Sequence, residues 1–181
     1  MPFPRLHAAL LASMLVPLGC ATPARLNTVA FPVKQDTLTC RSNGSCKMLV
    51  YARIGDSGQC EVMPEYDTMD VKASYTPKMV WRLKSIDTGH QYDYRFQLVS
   101  SSPPVYGIDI LNNTGQDFDK PDYDPDPVNG KKDVTTFKWD NKHGRSLPKD
   151  PFPYQLNVER SLHNQDHWSP CDRVDPKIIN D

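Results

Sequence analysis

Five aspartates crowd one stretch of this chain: Asp117, Asp119, Asp122, Asp124 and Asp126. Closely spaced carboxylates can converge on a hard cation, and Ca²⁺ takes about six to eight oxygen ligands. An EF-hand is excluded. Counted from Asp122, the position that needs glycine is Pro127, and no glutamate closes the loop. Pro121, Pro125 and Pro127 stiffen the run, which holds carboxylates apart as readily as together. The stretch reads either as a calcium site or as a solvated acidic loop that blunts a sheet edge or meets a basic partner. No other cofactor is suggested.

His163 and His167, with Cys171 four further on, have the spacing of metal ligands on a helix. Pro170 interrupts that helix, and two histidines alone make a poor zinc site. Nucleophilic catalysis lacks a signature, since no G-x-S-x-G elbow is present. No pair of carboxylates stands out as a glycosidase couple. Three aromatics fall between strand-like runs: Tyr123, Phe152 and Trp168. Aromatics are enriched at protein interfaces, so these three are the candidate contact residues.

The elements that must position these residues follow from the cysteines, the N-terminus and the apolar pattern. Arg5 precedes an apolar run, Ala8 to Leu18, that is too short to span a bilayer and ends Pro17-Leu18-Gly19-Cys20. This ending resembles the lipobox of bacterial lipoproteins, although Pro17 stands where that motif has leucine. The resemblance implies removal of residues 1–19 and a thioether-linked lipid on Cys20. It also implies attachment to the cell envelope, the outer membrane being favoured because Ala21 follows the cysteine. The domain would then face the periplasm or the cell surface. Residues 20–35 would form the lipidated N-terminus and tether, and 36–181 a single domain.

With Cys20 set aside, Cys40, Cys46, Cys60 and Cys171 remain. An even count in an exported chain reads as two disulfides. Four cysteines allow three pairings. The Asn43-Gly44 turn signal favours Cys40–Cys46, which leaves Cys60–Cys171. The second bridge would contribute about 4–5 kcal/mol in the chain-entropy picture.

The apolar pattern has period two almost throughout. Met79, Trp81 and Leu83 alternate with Val80, Arg82 and Lys84. Tyr92, Tyr94, Phe96 and Leu98 alternate with Asp93, Arg95 and Gln97, and Asp87-Thr88-Gly89 between the runs predicts a hairpin centred on Trp81. Thr37–Cys40 and Cys46–Ile54 predict a second hairpin, and Val29, Phe31 and Val33 a first edge strand. Further strands are expected at Met69–Ala73, Tyr106–Ile110, Thr135–Trp139 and Tyr154–Val158, with a short one near Ile179. Asn112–Lys132 and Asn141–Pro153 read as long polar loops. Seventeen prolines and an apolar content of 38% suit many turns and short strands. The expected fold is all-β: an antiparallel β-sandwich, immunoglobulin-like or related, of seven to nine short strands with two disulfides.

With 21 basic and 22 acidic residues, the chain has no basic excess for nucleic acid. A rigid exported scaffold with two long loops reads as a non-enzymatic binding or structural lipoprotein with a protein partner in the envelope. The alternatives are an inhibitor or immunity protein against a lytic enzyme, a secretion-apparatus lipoprotein, and a hydrolase of envelope polymers.

Overall fold

The computed structural model describes residues 28–72, 75–99, 104–113, 117–125, 132–142 and 151–180. The leader, Cys20, Asp126 and residues 143–150 of the second expected loop lie outside the described residues.

Among the described residues, thirteen strands build two facing layers. They are β1 (Gln35–Cys40), β2 (Ser45–Ile54), β3 (Cys60–Pro64), β4 (Tyr66–Val71), β5 (Lys78–Ser85), β6 (Tyr92–Phe96) and β7 (Ile108–Ile110). After them come β8 (Phe118–Pro125), β9 (Lys132–Asn141), β10 (Phe152–Leu156), β11 (Val158–Leu162), β12 (Ser169–Pro170) and β13 (Lys177–Asn180). One layer is a five-stranded sheet in the order β3-β2-β5-β9-β8. The other joins a five-stranded sheet, β1-β4-β13-β10-β7, to a three-stranded one, β12-β11-β6.

These last two sheets run on from one another through Asn157. Its N–H donates to Gly107 O at 2.9 Å and its carbonyl accepts from Gln97 N–H at 2.8 Å. Residues 92–97 and 107–110 thus lie along the same side of the β10–β11 strand, and the chain leaves the layer after Gln97. On the other side, Cys171 N–H donates to Val158 O at 2.8 Å and Tyr154 N–H to Pro176 O at 2.9 Å. The interruption at Asn157 splits β10 from β11, while β3 and β8 add strands where none was expected.

The period-two pattern puts one apolar face of each strand into the core. Trp81, Phe96, Phe118, Phe137 and Tyr154 are fully buried there. Trp81 of one layer meets Tyr154 of the other edge-to-face, with ring centroids 5.4 Å apart, and Phe96 meets Phe137 at 6.1 Å. β2, read as apolar on both faces, lies between β3 and β5, with Met48, Val50, Tyr51 and Ala52 all buried. Both expected disulfides are present, Cys40–Cys46 and Cys60–Cys171, and each ties a strand of one layer to the other layer.

The two five-stranded sheets are mixed, which corrects the antiparallel expectation: β1–β4, β4–β13 and β2–β5 pair in parallel. Neither expected hairpin forms. β1 and β2 lie in opposite layers, so Arg41–Gly44 crosses the sandwich rather than turning within a sheet. β5 pairs with β2 and β9, whereas β6 pairs with β11 in the other layer. The Asp87 carboxylate holds that second crossing, accepting Ile54 N–H at 2.8 Å and the Tyr94 hydroxyl. Residues 28–34 form no strand. They are held to β2 and its following turn. Arg53 stacks on the Phe31 ring at 4.2 Å and donates to Val29 O, and Thr28 donates to Asp56.

Candidate functional site

β6 and β11 pair antiparallel with Arg95 opposite Glu159. Directly opposed residues share a face, so their side chains meet. Arg95 donates through Nε and Nη2 to Glu159 Oε2, each at 2.9 Å. The carboxylate fixes the guanidinium plane, and Trp168 lies on that plane with its ring centre 3.9 Å from Arg95 Cζ. Trp168 Nε1–H donates to Asp166 at 2.9 Å. The indole is therefore held from its face and from its edge, yet remains partly exposed. Exposed Leu162 and the His163–Asp93 pair, at 3.0 Å, lie on the same two strands or the turn after them. A groove of about 240 Å³ beside them is lined by Tyr92, Arg160, Ser161 and His167 among others. Arg160 spans the strand end, donating to Gly58 O at 2.9 Å.

Arginine and tryptophan lead the residues that carry binding energy at interfaces, and a guanidinium already fixed by its carboxylate loses little freedom on docking. This surface can present an aromatic plane, one paired cation and a rim of hydrogen-bonding groups. Among the described residues, no three or more His, Cys, Asp or Glu side chains gather as a metal site.

The expected contact residues part company here. Trp168 is at the surface. Phe152 is partly buried and packs edge-on against Phe118 at 5.1 Å. Tyr123 belongs to the core, which corrects its reading as a surface residue. Its ring packs on Phe137 at 4.9 Å, and its hydroxyl donates to Gln97 O where the chain leaves the layer. Burial pushes that phenol up to about 12. The register shift between Asp119 and Asp122 in β8 turns Tyr123 inward, a change of face that strict alternation cannot foresee.

The acidic stretch is largely strand rather than loop, because Phe118–Pro125 pairs with β9. Asp119 ion-pairs with Lys142, and Asp122 stands opposite Lys138 in the ladder. Asp117 precedes the strand, its carbonyl accepting Lys142 N–H at 2.8 Å. The side chain of Asp124, like all of Asp126, lies outside the description. The histidines do not share a ligand set with Cys171, whose sulfur is bonded to Cys60. Arg95 and Glu159 escaped the sequence reading. The signal for them was an opposite charge on two outward strand positions, readable only once the β6–β11 register is known.

No family model matches this chain, and no curated protein matches it. Among solved structures, it matches the crystal structure of Met148Leu rusticyanin at 14% identity, over 83% of this chain and 84% of that one. The TM-score is 0.26, too low for the match to carry an argument.

Proposed function

We propose that the protein is an envelope lipoprotein, anchored through Cys20, that works as a non-enzymatic binding module for another protein. The observation that carries the reading is the prearranged Trp168–Arg95–Glu159 surface on a core stapled by two disulfides. An immunoglobulin-like or related scaffold, here with parallel as well as antiparallel pairs, suits that role because it holds a surface rigid. The two disulfides agree with an oxidising compartment outside the cytoplasm. Residues implied by the lipobox resemblance supply the anchor, and two or more acyl chains give stable attachment, each buried methylene contributing about 0.8 kcal/mol.

The test is cross-linking in intact envelopes with a photoreactive group at Ser169, comparing the native surface with Trp168→Ala and Arg95→Ala. A specific adduct that both substitutions abolish, on protein that still folds, is the expected result. Adducts unchanged by either substitution would overturn this surface as the binding site.

A further inference from the structure

The N-terminal chain joins the domain at one end of the sandwich, not along its side. β2 ends at Ile54 and β5, parallel to it, at Ser85. β6 begins at Tyr92 and β11 ends at Leu162. The turns after these strands meet: Asp87 accepts Ile54 N–H, Arg160 donates to Gly58 O, and His163 N–H donates to Gln91 O at 2.9 Å. Thr28, the first described residue, is bonded to Asp56 in the same group of turns. From there the chain runs inward under Arg53 towards β1. The opposite end carries Arg41–Gly44 and the Cys40–Cys46 bridge.

Only seven residues separate Cys20 from Thr28. Eight peptide units can reach no further than about 28 Å. The ten residues of β2 separate the two ends of the sandwich by about 30 Å. The greatest reach from Cys20 to Thr28 is thus no longer than the body it holds.

We infer that the end bearing the β2–β3, β5–β6 and β11–β12 turns faces the bilayer that holds the Cys20 lipid, and that the Cys40–Cys46 end points away. This rests on the anchor in the proposed function and narrows its partner. Arg95 lies on β6, which begins at the membrane-facing end, and Trp168 stacks on it from just before β12. Their ligand is therefore a protein presented at the bilayer surface, such as a membrane-embedded one.

The full lipoprotein, purified from membranes and placed in vesicles with spin-labelled headgroups, tests this. A fluorescent amino acid replaces Ser57 at one end or Ser42 at the other, both exposed. The mass of the N-terminal peptide is measured on the same samples. Lipidated protein should lose emission at position 57 and keep it at 42. Adding Thr28→Ala and Phe31→Ala frees the attachment and should bring the two signals together. Lipidated protein with equal or reversed quenching overturns the orientation alone. A difference that survives both substitutions overturns the attachment as its cause. A Cys20 without lipid overturns the anchor and the inference with it.

Discussion

Asp109 is the residue whose chemistry is most at odds with its place. It sits half-buried on β7, accepting hydrogen bonds from Tyr106 N–H at 3.0 Å and Asn157 Nδ2 at 3.2 Å. Burial outweighs those bonds and the nearby Arg173, so its carboxyl is held above the ordinary carboxylate range. The folded chain then keeps a proton that the unfolded chain has released, and stability falls as pH rises upward from about 4, the ordinary carboxylate value. Urea titrations across that range should show the fall in the native protein and its loss in Asp109→Asn. Tyr94 carries a second prediction. Its phenol is pushed up by burial and by its bond to Asp87. Tyr94→Phe should cost about 1–3 kcal/mol by leaving that carboxylate short of a donor; an unchanged urea midpoint would contradict the role given to the bond. Gly107 gives the third. A Cβ there would stand 2.5 Å from Phe96 Cβ and 3.3 Å from the Phe137 ring. Gly107→Ala should destabilise by about 1–3 kcal/mol through overpacking, read as a lower midpoint with unchanged slope. None of these three was legible in the sequence, since each depends on which strands face each other across the core.

At the scale of elements, alternation found most strands and most of the core, because period two is set by the pleat itself. Trp81 and Phe96 are buried, and Lys78 and Arg82 exposed, as their positions required. Alternation says which face is apolar but not which strand is the neighbour. Asn43-Gly44 and Asp87-Thr88-Gly89 do reverse the chain, yet each carries it into the opposite layer. β8 was hidden for a different reason. Aspartate and proline are poor strand formers, and this strand is tolerated at a sheet edge, where Pro121 leaves no ladder bond unmade in a central position. The register shift between Asp119 and Asp122 keeps Phe118 and Tyr123 both inward. The prediction at this scale is that Tyr123→Phe loosens the point where the chain leaves the layer after Gln97. Faster amide exchange at Gln97 and Gly107, without global unfolding, is the expected outcome; unchanged exchange there would contradict it.

At the scale of the molecule, two layers share one core and are joined covalently at both ends. Cys40–Cys46 closes the end with the short Arg41–Gly44 crossing, and Cys60–Cys171 bridges a sequence separation of 111 residues. Long closed loops restrict the unfolded chain most, so replacing Cys60 and Cys171 together by alanine should cost about 2–5 kcal/mol. Replacing Cys40 and Cys46 should cost less. Equal losses would argue against chain restriction as the origin. The cysteine pairing was readable because a turn signal singled out one bridge and the count left the other. The candidate contact surface was readable only in part, as Trp168 without the arginine beneath it. In the function proposed above, the domain is exported, cut before Cys20, lipidated there, and oxidised at its remaining four cysteines. Intact mass spectrometry of the protein from membrane fractions, alkylated before reduction, tests all of this at once. The account predicts a chain beginning at Cys20, heavier by its acyl groups, with no cysteine alkylated. An unprocessed N-terminus with alkylated cysteines would contradict it.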